Sequence, residues 1–219
     1  MSVHKGELMT VQQIIDMAKA GELKNLVLDT DTILAALNLG IIELYKRFPL
    51  RVEEAIVSLD GSKQYYKMDG TDPDVDMPTD APYMWIVSAY GEVPTDSGVS
   101  VNELPINDEN NPLSINTVNW YTIQIPMSID NETISLIYVA APVLLTTADL
   151  SKTLPIPPQL YEALLHYIGY RAHGALDGNI QAENSTHYQR FEASCQRAKE
   201  SGMYTSDSME MNRDMKGFV

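Results

Sequence analysis

The chain has 219 residues, of which 44% are apolar, and its 15 basic and 30 acidic residues give a formal net charge of −15. The length and apolar content are sufficient for a real hydrophobic core. The negative charge argues against nucleic-acid binding as the main task, because phosphate contacts need Lys and Arg. DNA could still pass nearby without being bound. The single cysteine, Cys195, rules out an internal disulfide.

Neither a targeting segment nor a membrane span is expected. The chain does not open with a positively charged stretch followed by an apolar one. No apolar run approaches the roughly 18 residues that a transmembrane helix requires. The composition therefore indicates a globular protein of one large or two small domains.

Two helices are predicted in the first fifty residues. Thr10 is the expected N-cap of the first helix, with Gln13 completing a capping box, and Gly21 is expected to end it. The second helix begins near residue 30 and is stopped by Pro49. Its apolar face follows a helical period: Ile33, Leu34, Leu37, Ile41, Leu44, Tyr45 and Phe48.

From Arg51 the apolar pattern changes to the period of a β-strand, which predicts an antiparallel β module. The expected strands are residues 52–59, 64–68, 85–90, 120–125 and 133–140. Asp60-Gly61 is a hairpin signal, so the first two strands are predicted to pair with each other. A long loop is expected from Gly91 to Pro112, and its length suggests a functional or poorly ordered segment.

The C-terminal third is predicted to contain a helical hairpin. Prolines at 155, 157 and 158 precede an apolar helical face that runs from Leu160 to Leu176. Gly178 is predicted to be the C-cap of this helix, and Asn179 the N-cap of the helix that follows. The following helix places Tyr188, Phe191, Cys195 and Ala198 on one face. A short loop makes the two helices pack antiparallel, with Leu164 and Phe191 facing their shared core.

Two segments resemble a known family, the head-to-tail adaptor (head-completion or connector) proteins of short-tailed bacteriophages. One is the second helix with Leu34-x-x-x-Asn38-x-Gly40, and the other is the hairpin from Pro157 to about Gln196, with His187-Tyr188-x-x-Phe191 in its second half. Structurally, Gly40 is expected to let another helix approach, and Asn38 to satisfy a local polar group. The two segments cover somewhat more than a quarter of the chain.

The predicted fold class is α+β: a helical bundle, made of two N-terminal helices and the C-terminal helical hairpin, with an inserted antiparallel β module and a C-terminal arm. The expected boundaries are 1–50 for the N-terminal helices, 51–150 for the β module, 151–203 for the hairpin and 204–219 for the arm. The β module is larger than expected for the smallest members of the family.

The resemblance implies a structural protein of the virion rather than an enzyme. Such an adaptor forms a ring, expected to have 12 copies, below the portal protein. The ring extends the DNA channel without specific DNA binding and is the platform for tail nozzle or tail tube proteins. The protein would be made in the host cytoplasm and reside at the head-to-tail interface. No cofactor and no membrane partner are expected.

Residues 204–219 have no regular apolar face, which leaves two interpretations open. They form either a solvated tail or a partner-binding arm, because methionines are adaptable apolar anchors. The resemblance implies the second, with the arm inserting into the portal. The candidate portal-binding residues are Tyr204, Met209, Met211, Met215 and Phe218.

Three features of the sequence are candidate sites of chemistry: an acidic loop, a group of histidines and Cys195. Asp72, Asp74 and Asp76 match the start of a calcium loop, but the glycine and the terminal glutamate that such a loop needs are missing, which favours a solvated acidic loop. His166 and His173 share a helical face and His187 could come near them. Two histidines without further ligand motifs favour surface or interface roles over a metal site.

Cys195, on an apolar helix face, is predicted to be a buried thiol rather than a nucleophile. No phosphate-binding loop, dinucleotide-binding turn or nucleophile elbow appears in the sequence. Two alternatives to the adaptor remain at this point. One is another virion ring or tail-tube protein, and the other, from a different class, is a ligand-binding or enzyme domain.

Overall fold

A computed structural model describes residues 8–95, 98–176 and 183–202. The chain divides into two compact units: a helical unit, drawn from residues before 50 and after 143, and a β unit of residues 50–143. Over the described ranges the structure is 36% helical and 25% strand, so neither kind of element is a minor addition to the other. None of the helices in these ranges is long and apolar enough to cross a membrane.

The helical unit contains four α-helices within the described residues: α1 (Val11–Ala20), α2 (Thr30–Arg47), α3 (Tyr161–Leu176) and α4 (Glu183–Glu200). The predicted capping box of α1 is present, because the Thr10 side chain accepts from Gln13 N–H and the Gln13 side chain accepts from Thr10 N–H. Asp29 caps α2 by accepting from Thr32 N–H, and α2 ends just before Pro49. These boundaries confirm the predicted start and stop signals.

Helix α3 is the centre of the helical unit, because it packs against each of the other three helices. Its buried side chains include Leu164 and Ile168, which are fully removed from solvent. Phe191 and Cys195 of α4 are buried as well. The prediction that Leu164 and Phe191 lie in a helical core is therefore confirmed.

Residues 144–160, here named the extended segment, are an integral part of the same unit. They include two short 3-10 helices, Thr147–Asp149 and Pro158–Leu160. The extended segment accepts hydrogen bonds from the N-terminus of α1: Val11 N–H donates to Lys152 O at 3.0 Å and Gln12 N–H to Leu150 O at 2.9 Å. The first N–H groups of a helix have no partner inside the helix, so this segment satisfies donors that would otherwise be orphaned. It also contributes Leu154 and Ile156 to the buried core.

The β unit consists of two antiparallel sheets. In the five-stranded sheet the strand order is β3-β1-β8-β4-β5, and in the three-stranded sheet it is β2-β7-β6. The strand bounds are β1 Val52–Ser58, β2 Tyr65–Lys67, β3 Val75–Asp76, β4 Tyr83–Thr95, β5 Gly98–Leu104, β6 Asn116–Asn119, β7 Thr122–Gln124 and β8 Thr133–Ala140. β8 covers the residues predicted for the last strand, and it lies between β1 and β4.

The β unit has its own hydrophobic core. Side chains from both sheets meet there, among them Val57 and Tyr138 from the large sheet and Tyr66 and Ile123 from the small one. The cluster is formed entirely by residues between 55 and 140. A continuous stretch of sequence therefore buries its own apolar surface.

The expected helical bundle with an inserted β module is wrong. The chain is a mixed α+β fold with four helices and two antiparallel sheets in the described ranges. The sheets enclose a separate core, and the helices are completed by an extended segment rather than packed as a simple bundle. Apolar periodicity identifies helices and strands, but it does not reveal backbone hydrogen bonds made by an irregular segment.

Two strand predictions and one loop prediction also need correction. β2 does not pair with β1 but with β7, in the other sheet. Asp60-Gly61 does form a turn, with Gly61 at φ 73°, but Asp60 also accepts from Ser62 N–H and Lys63 N–H, and this longer turn leads the chain into the second sheet. The predicted strand at 120–125 contains β7, but Trp120 and Tyr121 form the turn between β6 and β7. The predicted loop from Gly91 to Pro112 contains the end of β4 and all of β5.

Candidate functional site

Helices α3 and α4, which carry the larger part of the family resemblance, are joined by a ladder of rings. The ring centroids of Tyr167 and Phe191 are 5.1 Å apart, and those of Tyr170 and Tyr188 are also 5.1 Å apart. The next step is the stacked pair His173 and His187 at 4.9 Å. The residue numbers rise along α3 as they fall along α4, so the helices pack antiparallel as predicted. The proposed caps Gly178 and Asn179 lie outside the described residues.

Helices α2 and α3 approach each other closely at Gly40. A Cβ atom built at Gly40 would lie 2.6 Å from Leu164 Cδ1 and 3.1 Å from Tyr167 Cδ1. These separations are shorter than van der Waals contact, so a larger side chain would have to displace α3 side chains. The interpretation of Gly40 as a close-approach residue is confirmed.

Asn38 connects α2 to the extended segment. Its Nδ2 donates to Leu145 O at 2.8 Å, and its Oδ1 accepts from Leu145 N–H at 2.9 Å. One side chain therefore satisfies both backbone groups of a residue far away in the sequence. The two family-like residues of α2 thus fix its position against α3 and against residues after 143.

Arg47, at the end of α2, ties that helix to α4. Its Nη1 donates to Glu192 at 2.6 Å, its Nε and Nη2 donate to Glu43, and its guanidinium carbon lies 4.6 Å above the ring of Phe191. The hydrogen bond to Glu192 raises the pKa of Arg47 although burial opposes it. The same bond lowers the pKa of Glu192. The pair keeps both charges at neutral pH and bridges two sequence-distant helices.

A cluster of three histidines and one glutamate lies among α1, α3 and α4. Glu22 sits in the turn after α1, and its carboxylate faces two ring nitrogens. His166 Nδ1 of α3 is 3.2 Å from Glu22 Oε1, and His187 Nδ1 of α4 is 2.8 Å from Glu22 Oε2. All three side chains are largely buried, with between 12% and 19% of their surface exposed. The structure thus buries histidines for which the sequence favoured surface or interface roles, and it brings His187 near His166 and His173.

Gly169 makes room for this cluster. A Cβ at Gly169 would lie 2.9 Å from His187 Nδ1 and 3.2 Å from Glu22 Cβ. His173 completes the surroundings, since its ring stacks on His187 and its Nε2 lies 3.0 Å from the backbone oxygen of Glu22. Burial lowers the pKa of His187; the Glu22 carboxylate opposes this change, and His173 reinforces it. The arrangement therefore favours a neutral His187 imidazole.

In the acidic loop that resembles part of a calcium site, a lysine pairs with two of the carboxylates. Lys63 Nζ donates to Asp72 Oδ1 at 2.5 Å and to Asp74 Oδ2 at 2.6 Å. Asp72 also accepts from the backbone N–H groups of Lys67 and Asp74. Burial raises the pKa of Asp72, but the hydrogen bonds together outweigh it and the pKa is lowered. Two of the three carboxylates of the calcium-like pattern are therefore held by an internal cation.

Cys195 and the C-terminal arm are the remaining positions for which the sequence predicts a role. Burial raises the pKa of the Cys195 thiol to about 11, which keeps it protonated and unreactive at neutral pH, as predicted. The candidate arm residues lie outside the described residues: Tyr204, Met209, Met211, Met215 and Phe218.

Sequence reasoning missed Glu22, Arg47 and Glu192. Glu22 and Arg47 lie near helix ends and Glu192 lies in the middle of α4, positions where a charged residue is ordinary. Each finds its partner in a segment far along the chain. The only sequence signal was the polar and aromatic spacing in α3 and α4, which places His166, His173 and His187 on faces that can meet. No local sequence pattern indicated that the turn after α1 contributes Glu22 to this cluster.

Comparison with known proteins identifies the family. The sequence profile of the SU10 adaptor protein family matches residues 9–213, and no curated protein matches the chain. Because the match covers nearly the whole chain, including both the helical and the β unit, the protein belongs to the SU10 adaptor protein family.

Membership defines a class of structural protein. The family consists of phage adaptors, which are virion components and not an enzyme class. An adaptor interacts with other virion proteins, such as those of the portal and the tail. The polar contacts of the helical unit hold its helices in place, which is consistent with a structural protein.

Proposed function

We propose that this protein is the head-to-tail adaptor that forms a ring beneath the portal, extends the DNA channel and provides the platform for tail attachment. The observation that carries the proposal is the family match over residues 9–213. A ring requires a heterologous interface, in which two different surfaces of each subunit meet. We propose 12 copies, as the resemblance implies.

The charge of the chain supports a role in DNA passage. Duplex DNA carries one negative charge about every 1.7 Å of its axis, and a basic lining would hold it by releasing counterions. The net charge of −15 favours an acidic lining over which DNA slides. Tight binding of duplex DNA by the purified protein at physiological salt would contradict this part of the proposal.

We further propose that residues 204–219 are the arm that binds the portal. The family match continues past the end of α4 at Glu200 and includes part of this segment. Met209, Met211, Met215 and Phe218 are apolar anchors suited to clefts between neighbouring portal subunits. Ordering a residue costs about 1–2 kcal/mol, so one arm binds weakly. Many arms in one ring bind strongly, because each later arm binds intramolecularly.

The test is assembly with rings of the portal protein from the same virion, followed by electron microscopy and co-sedimentation. The full chain should join portal rings. A chain truncated after Met203 should keep its circular dichroism spectrum and melting temperature but fail to join. A full-length control with Thr205, Ser206 and Ser208 replaced by Ala should join normally, because it keeps the apolar anchors.

The outcomes separate the two parts of the proposal. If the truncated chain joins portal rings as well as the full chain, the arm is not the portal-binding element. If the full chain neither joins the portal nor forms a ring, the ring below the portal is wrong. Association with tail proteins alone would then indicate another virion ring.

A further inference from the structure

The buried cluster in the helical unit has the composition of a metal site. We propose that the Glu22 carboxylate and the Nδ1 atoms of His166 and His187 bind one divalent transition-metal ion, with zinc as the best match. This proposal does not depend on ring formation or on the portal-binding arm.

The distances place the three ligand atoms around a common point. One ligand atom from each residue lies within 4.8 Å of the other two. The two Nδ1 atoms are 3.2 and 2.8 Å from different oxygens of the same carboxylate. Zinc binds imidazole nitrogen and carboxylate oxygen at about 2.0–2.2 Å, so its tetrahedral ligands stand about 3–3.5 Å apart. Small side-chain movements are enough to admit the ion.

The chemistry of the donors selects the class of metal. Two imidazoles and one carboxylate match the ligands of zinc and of other late first-row metals. Calcium and magnesium prefer sites made only of oxygen atoms. Neither Nδ1 has a hydrogen-bond partner among the described residues, although both are buried. A metal ion would give both nitrogens the partner that the carboxylate, at its present orientation, does not provide.

The neighbouring groups resemble the outer contacts of known metal sites. His166 Nε2, on the far side of its ring, lies 3.5 Å from Glu162 Oε1. A carboxylate in that position orients a metal-bound histidine and leaves the other nitrogen free for the ion. Gly169 keeps the space beside His187 Nδ1 open, because any Cβ there would come within 2.9 Å of it.

The ion would join three parts of the helical unit: the turn after α1, the middle of α3 and the beginning of α4. Three protein ligands leave a fourth tetrahedral position for water. Because the unfolded chain does not hold the ligands together, metal binding adds to the stability of the folded chain. We therefore expect the ion to stabilise the packing of these helices.

The experiment uses the full chain after dialysis against a chelator. Addition of Co²⁺ should produce the visible absorption bands of a four-coordinate ion, saturating at one ion per chain. Zn²⁺ should displace the Co²⁺, bleach these bands and raise the melting temperature. If the wild-type chain gives no saturable band and no shift in melting temperature with either ion, the proposal is wrong.

Variants identify the ligands. His166→Asn, His187→Asn and Glu22→Gln should each weaken Zn²⁺ binding by roughly 10-fold or more. Asp16→Asn is a control that should bind like the wild type, since Asp16 is not one of the three ligands. Circular dichroism establishes that each variant is folded. Unchanged affinity in any one of the three folded ligand variants would overturn the three-ligand site.

Discussion

The helical unit and the β unit are stabilised by different kinds of contact. The helical unit is assembled from two distant stretches of sequence, and specific polar contacts join them: Asn38 to Leu145 and Arg47 to Glu192. The β unit is one continuous stretch with an apolar core of its own. Its buried acid, Asp72, pairs with a lysine only nine positions away.

The difference shows what each unit needs in order to fold. A continuous stretch with alternating apolar residues closes a core through nearby segments. A unit assembled from separated segments must form one arrangement of helices among several. Paired polar groups favour that arrangement, because a different arrangement would leave buried polar groups without partners, which costs free energy. The polar contacts of the helical unit therefore specify its arrangement as well as stabilising it.

The largest expected change in the free energy of unfolding comes from truncating a buried side chain in each core in turn. Phe191→Ala removes a fully buried ring from the helical unit and should cost about 3–5 kcal/mol. Leu136→Ala is the matched change in the β unit and should cost about 2–5 kcal/mol. Both tryptophans, Trp85 and Trp120, lie in the β unit, so their fluorescence reports on it, while circular dichroism at the helical band reports mainly on the helical unit.

Phe191→Ala should shift the circular dichroism transition more than the fluorescence transition, and Leu136→Ala should do the reverse. Measurement of both transitions in denaturant gives the two free energies of unfolding. If each variant moves both transitions equally, the units unfold as one, and the contrast between two separate cores does not hold.

A smaller effect is expected from Lys63→Met in the β unit. The change leaves Asp72 without its ammonium partner, although two backbone N–H groups remain, and should cost roughly 1–3 kcal/mol at pH 7. Lys67→Met is the control, because Lys67 contacts Asp72 through its backbone only.

The effect of Lys63→Met should depend on pH. The pKa of Asp72 is lowered in the folded wild-type chain from its ordinary value of 3.8. The stability that this carboxylate contributes is therefore present above about pH 4 and is lost as the pH falls through the lower, folded-state pKa. The difference between wild type and variant should shrink below that pH. A difference that stays constant from pH 7 down to the acid range would contradict the ion pair.

The smallest expected effect comes from Asn38→Ala in the helical unit, at about 1–2 kcal/mol. The loss would leave both backbone groups of Leu145 without the Asn38 amide, and a typical hydrogen bond contributes about 1 kcal/mol. Lys46→Ala on the same helix removes only an exposed ion pair with Glu43 and should cost less than about 0.5 kcal/mol. Equal costs for the two variants, measured by denaturant unfolding, would show that the Asn38 contact does not specify the arrangement.

The sequence by itself determined the helix boundaries and indicated the family. Caps and breakers near Thr10, Gly21 and Pro49 set helix boundaries, since these signals act within one helical turn. The apolar face of α4 placed Phe191 and Cys195 inside, because helical periodicity fixes which side chains share a face. The motifs around Gly40 and in α3 and α4 were enough to indicate a phage adaptor.

Only the tertiary structure decided how those elements combine. It showed that β2 joins a second sheet, that the β unit closes its own core, and that residues 144–160 complete the helical unit. It also brought Glu22 to His166 and His187. The physical reason is the same in each case: strand partners and converging side chains depend on contacts between distant residues, and local periodicity carries no information about them.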